Sequence, residues 1–157
     1  MSRRDQIQMT DAELRDFLAK SQTIIITSIN RDGMPHPMPM WYGVEPDGSI
    51  VMTTFTKSQK IRNIERDPRV TLLVEDGTVY NELRGVVIYG KADLIRDTDQ
   101  VVEILARVST KALDDPSDDT RDNIRKAVRG TAPKRTGIRV HPDKIVSWDH
   151  RKLGGVY

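Results

Sequence analysis

Thr53-Thr54-Phe55-Thr56-Lys57-Ser58-Gln59-Lys60 is the stretch on which the reading of this 157-residue chain turns, because a strand gives way to a helix within it. Residues 49–55 carry the β-branched and aromatic side chains of a strand. Thr56, with Gln59 three positions on, has the spacing of a capping box, so a short helix over about residues 57–67 is predicted. Ile61 and Ile64 give that helix an apolar side, and Pro68 follows its end. Residues 69–75 return as a strand. Hydroxyls and the ammonium groups of Lys57 and Lys60 gather where the first helical N–H groups have no intrahelical partner. The helix dipole adds partial positive charge there, and the combination suits an anion such as a phosphate. Lys57 and Lys60, three apart, are expected to lean on one guest. The plain alternative is a capped surface helix with two solvated lysines, and spacing alone does not separate the two.

Working outward, Thr10 and Glu13 form a second capping pair ahead of Leu14, Phe17 and Leu18, which share one helical face. Residues 23–30 read as a strand and Asn30-Arg31-Asp32-Gly33 as a turn. The extended segment 34–44 contains Pro35, Pro37 and Pro39 at period two, so the missing backbone donors lie along one edge. Such a segment is either an edge strand blocked against aggregation or a strand whose free edge meets a flat ligand. Pro46-Asp47-Gly48 turns the chain into residues 49–55.

Downstream, Asp76-Gly77 is a turn and residues 83–95 a long strand. Residues 99–111 form an amphipathic helix burying Val101, Val102, Leu105 and Val108. A further helix spans 117–129, with Gly130 as its C′ residue. Strands over 138–140 and 144–148 close the sheet, and Leu153-Gly154-Gly155 reads as a flexible tail. Tight turns between strands make the sheet antiparallel. The expected fold is α+β, mainly β, an antiparallel barrel with helices in its long connections. The length suits one domain over residues 1–157, able to bury roughly 68–70% of its unfolded surface.

Composition excludes several chemistries. The chain has no cysteine, so thiol nucleophiles, thiolate zinc sites and cysteine-bound iron–sulfur clusters are ruled out. His36, His141 and His150 lack metal-ligand spacing, and no G-x-S-x-G elbow supports a serine nucleophile. No apolar run approaches the ~20 residues of a membrane span and the start shows no secretory signal, so a cytoplasmic protein off the membrane is expected. The net charge of +2 conceals three blocks. Residues 97–122 carry eight acidic and three basic side chains, read as a solvated face. Residues 57–69 carry five basic against two acidic, and residues 125–152 nine against two. The two basic blocks are either solvated faces as well or surfaces that converge on an anionic ligand. The balanced total and the lack of basic–aromatic interleaving argue against nucleic acid. Trp41, Tyr42, Tyr80, Trp148 and Tyr157 are potential pocket walls, though a lone aromatic is more often core.

The run Thr53-Thr54, Lys60-x-x-Asn63-Ile64 and Arg66-Asp67-Pro68-Arg69-Val70 resembles the pyridoxamine 5′-phosphate oxidase-like split-barrel family. So do residues 23–30, Asp32-Gly33 and Pro35-His36-Pro37. The resemblance covers about residues 10–92 and continues more weakly through 140–148. The ending Ser147-Trp148-Asp149-His150-x-Lys152-Leu153-Gly154-Gly155 is similar to the actinobacterial deazaflavin branch.

The resemblance implies a homodimeric split β-barrel with a flavin or deazaflavin in a groove between subunits. The cofactor would be F420, or FMN as in the oxidase branch. By position, Lys60 matches the phosphate-contacting lysine, with Lys57 and Ser58 as helpers. Thr53 and Thr54 would line the ring and linker, and Met38 and Met40 would lie beneath the ring. Tyr80 and Trp148 would come from the partner subunit. The arginine–lysine pattern of true pyridoxamine phosphate oxidases is missing before the phosphate helix, which argues against that substrate. The expected activity is hydride transfer from reduced F420 to a small conjugated acceptor. The alternatives are an FMN-dependent oxidoreductase and a non-catalytic flavin or tetrapyrrole carrier.

Overall fold

The computed structural model describes residues 2–113 and 115–155. Asp114 of the acidic 97–122 block and Tyr157 lie outside the described residues. In chain order the elements are α1 (Arg3–Ile7), α2 (Asp11–Lys20), β1 (Thr23–Ile29), β2 (Pro35–Trp41), β3 (Gly43–Val44), β4 (Ile50–Phe55), α3 (Gln59–Arg66), β5 (Arg69–Asp76), β6 (Arg84–Ile95), α4 (Thr98–Thr110), α5 (Asp118–Arg129) and β7 (Arg135–Asp149). No helix among the described residues is long and apolar enough to cross a membrane.

Seven strands form one antiparallel sheet in the order β2-β1-β5-β6-β7-β4-β3. Its two outermost strands are joined by a single residue, Tyr42. Consecutive Cα atoms are 3.8 Å apart, so the end of β2 and the start of β3 lie within about 7.6 Å. A seven-stranded sheet meets that condition only by curling, which makes the molecule a split half-barrel, as expected. Tyr42 is fully buried at the corner and its hydroxyl donates to the Leu18 carbonyl at 2.7 Å. That bond satisfies the polar end of a side chain whose burial pushes its pKa far up.

The barrel interior is packed by the inward residues of each strand, among them Ile24, Ile26, Ile50, Met52, Leu72, Val86, Ile88, Ile138 and Val140. Phe17 and Leu18 of α2 and Ile61 and Ile64 of α3 complete it. On the opposite face of β4, Val51 packs with Val101, Val102, Ile104 and Val108 of α4 in a second cluster. Thr10 and Glu13 form the expected capping box, and β2 is the proline-bearing edge. Pro35, Pro37 and Pro39 pair with Ile29, Thr27 and Ile25, and their missing donors face outward from the ladder.

Four local expectations change. The helix after β4 starts at Gln59 with Ser58 as N-cap, and no side chain caps it. Thr56 instead turns its hydroxyl to the Lys134 carbonyl at 3.3 Å and to Thr136 Oγ1 at 3.0 Å, so no capping box forms. The two expected C-terminal strands are one fifteen-residue strand, β7. Pro142 sits opposite Gly90 where the register shifts, in a bulge that absorbs the proline. A Cβ on Gly90 would lie 2.2 Å from the His141 carbonyl oxygen, so only glycine allows this approach. Gly130 ends α5 in the right-handed conformation, not as a left-handed C′ residue. Residues His150–Leu153 form a 3-10 turn capped by Gly154, in place of a flexible tail.

Candidate functional site

Inward and outward positions alternate along β4, and this divides the predicted site residues. Ile50 and Met52 face the barrel core, so Thr54 does too, whereas Thr53 and Phe55 share the outer face with Val51. Thr53 and Thr54 therefore do not present their side chains to one face of a ligand.

On the inner side, Thr54, Ser58 and Lys60 form one cluster. Lys60, at the second position of α3, is 6% exposed, and its ammonium donates to Thr54 Oγ1 at 3.2 Å. Thr54 Oγ1 in turn lies 3.3 Å from Ser58 Oγ. No carboxylate reaches the Lys60 ammonium among the described residues, and burial holds its pKa below the ordinary lysine range. A buried cation whose partner is a neutral hydroxyl is poorly compensated, and a bound anion would complete it. Gln59 and Lys60 also begin α3, where N–H groups lack intrahelical acceptors. Asn63 fixes the helix in place: fully buried, it donates to Ser28 Oγ at 3.0 Å and Asn30 Oδ1 at 2.9 Å, and accepts from Gln59 Nε2 at 2.9 Å.

On the outer side, a residue that local sequence patterns do not reveal comes into play. The β4–β7 register sets Arg135 opposite Phe55. Its guanidinium lies 4.7 Å from the centre of the exposed Phe55 ring, and Nη1 donates to Thr53 Oγ1 at 3.4 Å. Arg135 Nε is buried with no acceptor among the described residues. Unsatisfied buried donors are rare, and this one together with Lys60 fits a ligand carrying negative charge.

The other expected residues are more dispersed. Lys57 is exposed and precedes the N-cap, so the three-apart helical argument for a shared guest does not hold. Met38 and Met40 pair with Ile26 and Ile24 and face inward, Met40 against the core and Met38 partly exposed. Trp148 pairs with Gly85 near the far end of β7. Through Gly85 and Glu75 the register carries Trp148 toward the Thr23 end of β1, whereas Asn63 ties α3 to Ser28 and Asn30 at the other end of that strand. Tyr80 packs against His150 at that same end, the rings tilted by 60° with centroids 5.1 Å apart. One chain thus does not bring Tyr80 or Trp148 to Lys60.

The basic blocks converge only in part. In residues 125–152, Arg125, Arg129, Arg139, Arg151 and Lys152 are taken up by Glu103, Asp99, Glu45, Asp149 and Glu13. The described acidic residues of the 97–122 block are exposed, as expected, and Asp99 and Glu103 of α4 also reach α5 through surface ion pairs. Arg135 is the member of the block that reaches the β4 junction. Beside the first turn of α3 opens a shallow cleft of about 390 Å³ lined by Asn30, Arg31, Asp32, His36 and Gln59. Among the described residues, no group of three or more potential ligands could hold a metal ion.

The sequence model of the pyridoxamine 5′-phosphate oxidase family matches residues 10–149. No curated protein matches. Among solved structures, the conserved hypothetical protein Rv2991 from Mycobacterium tuberculosis is 36% identical over 100% of this chain and 95% of its own, with a TM-score of 0.85. An F420 reductase is 21% identical over 83% of this chain and 94% of its own, TM-score 0.61. A FAD-binding protein from Mesorhizobium loti is 17% identical over 89% and 94%, TM-score 0.65. The last two likenesses are of fold.

Proposed function

The chain belongs to the pyridoxamine 5′-phosphate oxidase family, and from that premise we propose that it is a homodimeric, F420-dependent reductase of a small conjugated acceptor. The observation that carries the reading is the buried Lys60 ammonium, held by Thr54 and lacking a carboxylate. Lys60, Thr54 and Ser58 would hold the cofactor phosphate. Arg135, braced on Phe55, would meet further negative charge on the outer side of β4. Two separated cations suit a cofactor with several anionic groups, as F420 has, better than the single phosphate of FMN. When bound and reduced, such a cofactor supplies the hydride. The chain supplies binding and orientation, and its lack of cysteine is consistent with that division.

A second copy completes the site in this proposal. Pro39, Ile25, Leu73, Val87 and Val146 are in register across β2, β1, β5, β6 and β7 on the outer face. Ile25, Leu73, Val87 and Val146 are only half-buried, and Tyr89 and Trp148 flank them on the same face. Apolar rows of this kind favour a protein partner. A second subunit on this face would supply Tyr80 and Trp148, which are out of reach within one chain.

The test is titration of the purified protein with F420 and, separately, FMN, followed by tryptophan fluorescence. Saturable quenching by F420, at least ten-fold tighter than by FMN, followed by oxidation of F420H2 with a quinone acceptor, is expected. FMN copurifying in stoichiometric amount would move the assignment to an FMN enzyme. Tight binding without turnover of any acceptor would make the protein a carrier.

A further inference from the structure

A cavity of about 380 Å³ lies between α2, β3, α4 and the start of α5. It contains none of the residues discussed above as cofactor contacts. It borders β3, which pairs with the opposite end of β4 from Thr54. Arg107, Lys111, Arg121 and Arg125 line it, against the carboxylates of Glu103 and Asp115.

These cations differ in what they are free to do. Arg125 is occupied, donating to both oxygens of Glu103 at 2.8 and 3.0 Å and to Asp122. Glu103 is thereby withdrawn from neutralising its neighbours. Arg107, Lys111 and Arg121 have no carboxylate partner among the described residues, yet each is held in position. The Arg107 stem fills the space above Gly43, where a Cβ would lie 2.9 Å from Arg107 Cγ, and Nη1 reaches the Val44 carbonyl at 3.4 Å. Arg121 Nε donates to the Pro116 carbonyl at 3.1 Å. Lys111 donates to the Ser21 carbonyl at 2.5 Å and lies 3.1 Å from the centre of the Tyr42 ring. Each guanidinium has five N–H donors and the ammonium three, so most of this capacity is unused. Oriented donors of one sign around a half-open cavity make an anion site with little reorganisation on binding.

We propose that this cavity binds a small organic oxyanion, a carboxylate or phosphate group held by Arg107, Lys111 and Arg121. The site is independent of the cofactor reading. Burial lowers the Lys111 pKa to about 7, so a bound anion would draw a proton onto the amine and raise its titration midpoint. Arg107, Arg121, Arg125, Glu103 and Asp115 are the charged groups that face it across the cavity, and Tyr42 lies beneath it.

The experiment titrates the full chain with inorganic phosphate and, in a second arm, with succinate, against sodium chloride of equal ionic strength. The readouts are the Lys111 side-chain resonance across pH 5–9 and thermal unfolding. A saturable response in either arm, with the Lys111 midpoint raised by at least about one pH unit, is expected, and the responding arm identifies the ligand chemistry. Arg121→Ala should weaken that response at least ten-fold without lowering the melting temperature of the free protein. Lys111→Met, which keeps the stem over Tyr42, should similarly weaken the thermal-unfolding response. No response beyond chloride in both arms, an unmoved Lys111 midpoint, or full affinity in Arg121→Ala would overturn the proposal.

Discussion

Lys60 reaches the hydroxyl of Thr54 at 3.2 Å, six residues back and across the strand-to-helix junction, and that neutral group is its hydrogen-bond partner inside the protein. A buried ammonium in this state weakens the free protein and strengthens the complex with an anion. Lys60→Ala should weaken cofactor binding by roughly 1.5–3 kcal/mol, the range of a charge-assisted hydrogen bond. Thermal stability of the free protein should stay level or rise, because an uncompensated charge is gone. Calorimetric titration and a melting curve on the same preparation check both halves. An unchanged dissociation constant would remove Lys60 from the site.

Arg135 differs from Lys60 in geometry. Its planar guanidinium lies against Phe55 and leaves Nε without an acceptor among the described residues. Lysine keeps the charge but not the stacking plane or the fork of donors. Arg135→Lys is therefore expected to recover less than half of the binding energy lost in Arg135→Ala, and Arg135→Ala should bind at least five-fold more weakly. Both variants should fold normally, since the residue is half-exposed at the start of β7. The salt dependence of the titration separates a charge role from packing: its slope should fall in Arg135→Ala and stay near that of the wild type in Arg135→Lys.

Sequence showed what is settled locally. The Thr10–Glu13 capping box and the glycines at positive φ in the tight turns, Gly33, Gly48 and Gly77, depend on neighbours within a few residues. The proline edge is likewise written at period two in β2. Thr56 was misread because its hydroxyl is taken by Lys134 and Thr136, about eighty positions away. The strands expected over 138–140 and 144–148 are one, because pairing with β6 carries β7 through a bulge at Pro142 that local sequence does not show. The same distance separates the two halves of the candidate site. Thr54, Ser58 and Lys60 were legible as one junction, whereas Arg135 reaches it through the β4–β7 register. The opposed faces of Thr53 and Thr54 were within reach of simple alternation along a strand.

Lys111 predicts a pH dependence of stability with a definite sign. Its pKa in the folded protein is lowered by burial to about 7, against an ordinary lysine value of 10.5. Between those values the unfolded chain binds a proton that the folded chain lacks, so stability rises with pH across that window. The penalty of the buried charge is fully present below pH 7. Tyr42 opposes this only near and above pH 10, because its own raised pKa keeps a proton in the fold that the unfolded chain has released. Urea unfolding at intervals between pH 6.5 and 9.5 should show a rising contribution in the wild type that is absent in Lys111→Met. Parallel curves for the two proteins would show that the amine titrates normally.

Leu73 lies at the centre of the outer apolar row, in register with Ile25 on one side and Val87 on the other. It is half-buried in the single chain and points away from the barrel core, so a charge there should leave the fold intact. In a subunit interface the same charge would be desolvated without a partner, at a cost of several kcal/mol. Leu73→Glu should therefore run as a monomer in light scattering while keeping its circular dichroism spectrum and a melting temperature within a few degrees of that of the monomer limit of the wild type at high dilution. Because Trp148 and Tyr80 lie at the opposite end of the sheet from Thr54 and Lys60, loss of the partner should also reduce cofactor affinity, although Lys60, Thr54 and Arg135 are untouched. A monomeric variant that binds the cofactor as tightly as the wild type would mean that each subunit holds it alone.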